Sequence, residues 1–363
     1  MTDYFCHEYA KEYGVDNGLC IRFNGGAQAG HTVVTPTGQR HVFHHFSSGS
    51  FVGVATLLSK FFLVNPILFR DEYLNLLNRA IVPTVYVDPR ALVTTPWDMM
   101  LNQARERSRG VGSHGSCGVG IGATMERNKD LPLLVPCLSN GFYRNAVEAR
   151  DYSFQKLREE GLADSEAFVR MFLSDKIFED FLGATEFFLQ HTYLDLPYDL
   201  KYRDFLVFEG AQGLRLDMDN TREFPHVTYS KTDETNIRAL CEEAYICEPE
   251  YVYVTRAFNT RHGNGKFEKW SECEVWVNVK EECKTNLPHE FQGVLKYGPL
   301  DLDWIKTKSK NGVVSVTHMD NVQKDLDVII NGQRQVIDSA NLGNILDAEY
   351  LSFGPTRNDI KSL

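Results

Sequence analysis

The stretch from Phe205 to Asp217 constrains most strongly how this chain can fold. Residues 205–208 (Phe-Leu-Val-Phe) are apolar and β-prone and too few for a helix, so they predict a buried strand. Glu209 and Gly210 end that strand, and a Gly-Ala-Gln-Gly turn follows. Small residues let backbone N–H groups approach a ligand, and open α/β sheets bind ligands where strands end in such loops. A tight turn that binds nothing fits the stretch equally well.

Predicted strands and helices alternate along the rest of the chain. The predicted strands are Gly18–Phe23, Thr84–Val87, Tyr251–Val254 and Val313–Thr317, and the predicted helices are Thr2–Tyr13, Gly53–Lys60, Phe69–Ala80, one that opens at Pro96, and most of 144–191. This alternation predicts an α/β fold with a central, mostly parallel sheet flanked by helices. Because no repeat or linker interrupts the pattern, residues 1–363 are predicted to form a single large domain.

Composition excludes several classes of function. A net charge of −11 argues against a broad nucleic-acid-binding surface. No apolar run approaches the length of about 18 residues that a membrane span needs, and the N-terminus has no signal-peptide pattern. The eight cysteines include no Cys-x-x-Cys pair, which indicates reduced thiols and a cytoplasmic protein.

Seven glycine-containing or polar motifs, in order along residues 22–359, resemble those of the adenylosuccinate synthetase family. The motifs are Asn24–Thr32, His45–Gly49, Ser116–Gly122, Phe208–Asp217 with Phe224–Ser230, Thr260–Gly265, His318–Asp320 and Ser352–Asp359. Backbone N–H groups, hydroxyls and amides in such loops can form a nucleotide site. The resemblance implies the family's α/β fold.

The resemblance also implies a carbon–nitrogen ligase. In the family, the γ-phosphoryl group of a triphosphate moves to O6 of a 6-oxopurine nucleotide, and the amine of aspartate then displaces it at C6. Phosphorylation makes the oxo group a good leaving group, and the charge that develops needs Mg²⁺, fixed donors and a proton donor. Expected partners are therefore a purine nucleoside monophosphate, aspartate and ATP or GTP, with Mg²⁺ as cofactor and a homodimer as the assembly.

Site residues follow from the resemblance, position by position. His31 corresponds to the catalytic proton donor, and Gly30 to a contact of the metal. The implied substrate-binding residues are Asn24, Gln28, Ser116, Cys117, Gln212, Thr228, Arg261 and Lys296. The implied triphosphate-binding residues are His318, Asp320, Ser352, Gly354 and Pro355. Without the resemblance, each has an ordinary interpretation as a turn residue, a strand hydroxyl, a surface ion pair or a helix cap.

Several departures from the family bear on the substrates. The stretch Phe291–Asp301 stands where cellular enzymes carry arginines that bind aspartate, and its only cation is Lys296. Val119 replaces a frequent Arg, and His318 replaces a Lys beside Asp320, so the donor can be ATP or GTP. Chain length and Gly354–Asp359 resemble the viral branch, which aminates dGMP. The substrate is thus IMP or (d)GMP, and a virus-encoded protein of the viral type is favoured.

A further departure concerns the start of the chain. The family begins with a strand and a glycine-rich loop that supplies a catalytic Asp, whereas this sequence begins on the helix that should follow them. Loss of that strand is expected to leave two neighbouring strands unpaired, which favours a shortened start over a natural deletion. The alternatives are a catalytically silent nucleotide-binding relative and a P-loop kinase or GTPase, although no Gly-x-x-x-x-Gly-Lys-Ser/Thr stretch occurs.

Overall fold

The protein is described by a computed structural model over residues 1–139, 141–265 and 290–363. Contacts divide these residues into two compact units. The N-terminal unit comprises Thr2–Thr32 and Val42–Glu248, and the C-terminal unit comprises Val33–His41 and Pro249–Leu363 together with Met1. The single domain over residues 1–363 stays a prediction.

The helices of the described residues agree well with the periodicity of the sequence. They are α1 Thr2–Tyr13, α2 Pro66–Leu77, α3 Pro96–Arg109, α4 Ile121–Asp130, α5 Phe142–Glu159, α6 Glu166–Phe172, α7 Asp175–Gln190, α8 Thr235–Ala244, α9 Leu302–Lys308 and α10 Leu342–Ile345. The first, α1, has the predicted bounds and is followed by Gly14 at a φ of 85°, the left-handed conformation that suits glycine after a helix. The predicted helical region 144–191 forms α5, α6 and α7.

The strands of the described residues are short and mostly follow the predicted positions. They are β1 Gly18–Arg22, β2 His31–Val34, β3 Arg40–Phe43, β4 Ala55–Leu58, β5 Val85–Val87, β6 Tyr193–Leu194, β7 Phe205–Glu209, β8 Val252–Arg256, β9 Asn259–Arg261, β10 Lys296–Gly298, β11 Leu300–Asp301, β12 Val313–Thr317, β13 Asp325–Ile330, β14 Gln333–Asp338, β15 Ala348–Ser352 and β16 Ile360–Ser362.

A five-stranded, fully parallel sheet in the order β6-β5-β4-β1-β7 organises the N-terminal unit. This confirms the predicted α/β fold with a central parallel sheet. The expectation that two strands would be left without a neighbour is wrong, because β1 pairs directly with both β4 and β7. Parallel strands end at one edge, so the loops after β1, β4 and β7 emerge together.

The predicted helix over Gly53–Lys60 is wrong, since Ala55–Leu58 is strand β4. All four of its residues are buried between two parallel neighbours. A strand buried on both faces reads as a continuous apolar run without alternation, and such a run cannot be distinguished from a buried helix by periodicity.

The C-terminal unit is built around smaller sheets. Strands β16-β15-β12-β8 form one sheet, β11-β13-β14 another, and β9 pairs with β10 as an antiparallel ribbon. Fifteen buried residues, including Leu302, Val316 and Leu351, form its apolar core. The predicted strands Tyr251–Val254 and Val313–Thr317 correspond to β8 and β12, which are parallel neighbours.

Two predictions from composition can be compared with the described residues. Six cysteines carry free thiols there, as predicted, whereas Cys273 and Cys283 lie outside the described residues. Over the same part of the chain, none of the helices combines the length and apolar character that crossing a membrane requires.

A fully buried ion pair fixes α4 against the start of α3. Arg127 Nη2 lies 2.9 Å from Asp98 Oδ2, and both side chains are completely inaccessible to solvent. Asp98 also completes a capping box with Thr95, while Arg127 donates to the carbonyl oxygens of Val93 and Leu131. Buried charges are tolerated when every donor is satisfied in this way.

We expect Arg127→Met to lower the free energy of unfolding by about 3–5 kcal/mol, because it leaves the Asp98 carboxylate buried without a cation. The matched control is Arg70→Met at the exposed Arg70–Asp180 pair, which should cost less than about 1 kcal/mol. Urea unfolding followed by far-UV circular dichroism measures both. Similar losses for the two variants would contradict this assignment.

Candidate active site

His31 lies beside a buried carboxylate where β1 and β7 end. His31 Nδ1 is 2.9 Å from Glu209 Oε1, and Glu209, the last residue of β7, is 2% exposed. The backbone N–H of Ser48 donates to Glu209 Oε2 at 3.1 Å, and the Ser48 hydroxyl donates to Oε1. Arg22 is the last residue of β1. Its Nη2 lies 3.5 Å from His31 Nε2, and its Nε lies 3.8 Å from Glu209 Oε2.

Glu209 carries a negative charge at neutral pH. Burial by itself disfavours ionisation, but the interactions with His31, Arg22 and Ser48 outweigh it and lower the pKa of the Glu209 carboxyl to about 2. Arg22 is fully buried and also donates to the carbonyl oxygens of His44 and Phe46. The site therefore combines a cation, an anion and an imidazole that is partly accessible to ligands.

Asn24 joins the His31 loop to the loop after β7. Its side-chain amide donates to the carbonyl oxygens of Ala211 and Lys231 at 3.0 and 2.8 Å, and its oxygen accepts from Ala211 N–H at 2.7 Å. The side chain is fully buried. Asn24 thus fixes two predicted ligand loops relative to each other, and its predicted contact with substrate stays a prediction.

Gln28 has polar atoms available for a ligand. Its Oε1 and Nε2 are buried and make no hydrogen bond within the described residues. The loop that carries Gln28 is held by His44, whose Nδ1 lies 3.1 and 2.8 Å from the carbonyl oxygens of Ala27 and Ala29. A buried amide without partners is costly unless something pairs with it. Its predicted substrate-binding role agrees with this geometry.

The loop after β7 presents Gln212 to solvent. Gln212 is exposed and has a φ of 70°, a left-handed conformation that is uncommon outside glycine and often marks functional loops. Thr228 is half-buried, and its N–H donates to Leu216 O at 2.8 Å, which folds the predicted purine loop back on itself. Ser230 adds a link to the first loop by accepting from Gly25 N–H at 3.1 Å.

Side chains of α3 hold the glycine-rich loop that contains Ser116 and Cys117. Glu106 accepts from the N–H groups of Gly115 and Ser116 at 2.9 and 3.3 Å, and the Ser116 hydroxyl donates to Asn102 Oδ1 at 2.9 Å. Burial raises the pKa of the Cys117 thiol to about 11, so this side chain is uncharged. The loop is therefore ordered by its own helix, and the predicted phosphate contacts of Ser116 and Cys117 stay predictions.

Gly30 can offer a metal only its backbone oxygen. Residues 1–139, 141–265 and 290–363 contain no group of three or more His, Cys, Asp or Glu side chains that could hold a metal ion. Mg²⁺ often takes few protein ligands and completes its shell with water and substrate phosphates. The metal contact of Gly30 therefore stays a prediction.

Arg261 and Lys296 are directly opposite each other in the β9–β10 ribbon of the C-terminal unit. Lys296 Nζ donates to the carbonyl oxygens of Gly263 and Gly265 at 3.0 and 3.3 Å. Burial, with the charge of Arg261, lowers the pKa of Lys296. The Arg261 guanidinium packs directly on Gly265, since a Cβ there would lie 1.8 Å from Arg261 Nη2. Two paired cations favour an anionic ligand, in agreement with their predicted roles.

His318 and Asp320 lie in the turn after β12. His318 has a φ of 63°, and its Nδ1 is 3.0 Å from the Thr317 hydroxyl. Burial and the charge of Arg256 lower the pKa of His318 to about 4, so the ring is neutral at neutral pH. Asp320 is exposed. A neutral ring beside a carboxylate differs from the Lys–Asp pair that the family resemblance implies.

Ser352, Gly354 and Pro355 form a compact turn after β15. The Ser352 hydroxyl donates to Gly354 O at 2.9 Å. Thr356 and Asp359 close the turn as a capping box, in which the side chain of each accepts from the backbone N–H of the other. A Cβ on Gly354 would lie 2.6 Å from the Asp359 carboxylate, so glycine is needed for packing as well. Pro355 is exposed and available to a ligand. The predicted contacts of these three residues with a triphosphate stay predictions.

Together, the parallel sheet and its edge loops define the class of α/β proteins that bind ligands at the carboxyl ends of strands. The family model described as Adenylosuccinate synthetase matches residues 13–291. The chain belongs to the adenylosuccinate synthetase family.

Individual relatives and solved structures are similar at low sequence identity. The adenylosuccinate synthetase of Clostridium beijerinckii is 28% identical over 85% of this chain and 70% of its own length. That of Desulfatibacillum aliphaticivorans is 26% identical over 73% of this chain and 62% of its own.

Two solved structures share the fold. Fully ligated adenylosuccinate synthetase from Plasmodium falciparum has a TM-score of 0.69 at 14% identity, and it covers 100% of this chain and 96% of its own. Succinoaminodeoxyadenylate synthetase of cyanophage S-2L, bound to dGMP and dATP, has a TM-score of 0.59 at 12% identity, with coverage of 99% and 91%. At such identities both show the fold alone.

Three residues of the site were not predicted from the sequence: Arg22, Glu106 and Glu209. Each is a charged side chain that is at least 97% buried. Arg22 and Glu209 each stand at the end of an apolar strand, and a charge in that position is the signal that could have identified them.

We expect Asn24→Ala to destabilise the N-terminal unit by about 3 kcal/mol or more, because it removes three hydrogen bonds and leaves the buried N–H and carbonyl oxygen of Ala211 without the Asn24 side chain as their partner. The matched control is Asn236→Ala, which removes one bond, to the carbonyl oxygen of Phe23, and should cost about 1 kcal/mol. Chemical denaturation of both variants gives the comparison. Equal costs would show that Asn24 does not brace the two loops.

Proposed function

We propose that this protein is a ligase that joins aspartate to C6 of a 6-oxopurine nucleotide, IMP or (d)GMP, through a 6-phosphoryl intermediate. ATP or GTP supplies the phosphoryl group. Family membership supports the reaction class, and the His31–Glu209 contact beside the predicted purine loop is the observation that carries the proposal. The substrate of the viral type, dGMP, is favoured by the departures at Lys296 and His318.

The proposed reaction has two steps. In the first, N1 of the purine loses its proton and O6 takes the γ-phosphoryl group, which releases the nucleoside diphosphate. In the second, the aspartate amine forms a bond to C6 and loses a proton to solvent, while the C6–O6 bond breaks and inorganic phosphate leaves with O6. Mg²⁺, where bound, would neutralise phosphate charge.

His31 is the proposed proton donor near O6. Its imidazole is partly accessible, its Nδ1 is engaged by Glu209, and its Nε2, which lies 3.5 Å from Arg22 Nη2, is the nitrogen proposed to face the substrate. A positioned donor stabilises charge that develops on oxygen in the transition state. Gln28 and Gln212 are proposed to bind the purine nucleotide, because one has buried polar atoms without partners and the other is exposed in a left-handed conformation.

The C-terminal unit carries the residues proposed for the other two substrates. Arg261 and Lys296 would bind carboxylate or phosphate oxygens. Neutral His318 and exposed Asp320 would contact the base of the triphosphate. Ser352, Gly354 and Pro355 would line the site of that base. The proposal also includes a protein of the viral type, a homodimer as its assembly and a location in the cytoplasm.

The test is to incubate the protein with Mg²⁺, aspartate, ATP or GTP, and IMP or dGMP, and to look for a succinylated nucleotide by mass spectrometry. Production from any pair supports the proposal, and the preferred pair decides between the cellular and viral types. Absence of product from every pair would refute it. Retained binding of nucleotide by calorimetry would then favour a catalytically silent nucleotide-binding protein.

We expect His31→Ala to lower kcat by at least about 100-fold, because the reaction loses its proton donor. His191→Gln is the control, since this histidine lies at the end of α7 and stacks on Phe187. Initial rates with the preferred substrates measure both variants. A His31→Ala protein with nearly full kcat would rule out the proposed donor.

A further inference from the structure

The Glu209 carboxylate is fixed in place by Ser48 and His31. Both of its oxygens accept from Ser48, one from the N–H and one from the hydroxyl, and Oε1 also faces His31 Nδ1 at 2.9 Å. The side chain is 2% exposed, so these contacts replace its hydration. A carboxylate fixed in this way presents one oxygen to the imidazole in a single direction.

The contact decides which nitrogen of His31 carries its permanent proton. An ionised carboxylate only accepts, so Nδ1 must be the N–H donor. Nε2 is then the nitrogen that can exchange a proton with a ligand. The same arrangement orients the ring, because rotation would break the bond to Glu209.

Arg22 acts on the other side of the ring. Its Nη2 lies 3.5 Å from His31 Nε2, and a guanidinium carries positive charge and donates only. A proton on Nε2 therefore lies close to a cation. The negative charge of Glu209 opposes this effect from the Nδ1 side.

The described charged contacts of the ring come from Glu209 on β7 and Arg22 on β1. His44, which follows β3, engages the carbonyl oxygens of Ala27 and Ala29 through its Nδ1 instead. One anion and one cation, at the ends of two adjacent parallel strands, thus face the two nitrogens of the His31 ring.

We infer that Glu209 is the positioning residue of the site: it accepts from Nδ1 and so fixes the tautomer and the ring orientation of His31, which directs Nε2 toward a substrate oxygen. This inference rests on the proposed function of His31. Glu209 does not touch substrate in this assignment, and Ser48 serves to orient it.

The test is Glu209→Gln in the full chain, followed by ¹⁵N NMR of the histidine rings, with His31 assigned by its absence in His31→Ala. In the native protein, neutral His31 should show a protonated Nδ1. In Glu209→Gln, Nδ1 loses its anionic acceptor, so the fraction of His31 with the proton on Nδ1 should fall and the ¹⁵N shifts of both ring nitrogens should change. An unchanged tautomer would overturn the inference.

Kinetics separate positioning from binding. Glu209→Gln should lower kcat by about 100-fold and leave KM for the purine nucleotide within about twofold. Glu209→Asp keeps the charge and should recover part of kcat. A loss that appears only in KM, with kcat intact, contradicts the inference.

Asp88→Asn is the matched control, because Asp88 is also a 2% exposed carboxylate at the end of a parallel strand, where it pairs with Arg90. It should leave the His31 signals and kcat unchanged. If Glu209→Gln does not fold, Glu209→Asp carries the NMR test, since moving the carboxylate must alter the Nδ1 signal. The NMR result stands even if no ligase activity is found, so failure of this inference and failure of the proposed function remain distinguishable.

Discussion

The Glu209 carboxylate is the interaction on which the arrangement of the candidate site depends. It connects the end of β7, the segment at Ser48 and the start of β2 at His31. A buried charge would cost several kcal/mol without partners, and here its oxygens are satisfied by an imidazole N–H, a backbone N–H and a hydroxyl. Strands β1 and β7 can therefore end in charged residues that are buried at the edge of the sheet, and the His31 imidazole is held in one orientation.

Asn24 extends the same arrangement to the neighbouring loop. Because β1 and β7 are adjacent and parallel, their loops leave the sheet side by side, and the amide of Asn24, in the loop after β1, satisfies the N–H and carbonyl oxygen of Ala211 in the loop after β7. Buried backbone groups need such partners, so glycine-rich loops with few internal hydrogen bonds become ordered by polar side chains. Glu106 does the same for the loop at Ser116 from helix α3.

Much of the fold could be predicted from local patterns. The helix Thr2–Tyr13 and the strand at 205–208 were predicted because amphipathic spacing and short apolar runs are local properties of the chain. Strand β4 was not, since burial on both faces removes the alternation that distinguishes a strand. The predicted site motifs depended on family resemblance, whereas the roles of Arg22 and Glu209 depend on neighbours distant in sequence.

The sequence by itself determined the succession of strands and helices, the glycine-rich loops and family membership, because these follow from residue type and local order. Only the tertiary structure decided that β1 lies between β4 and β7 and that Glu209, 178 positions after His31 by their numbers, faces its Nδ1. The physical reason is that strand order and buried ion pairs depend on long-range pairing, which no local pattern encodes.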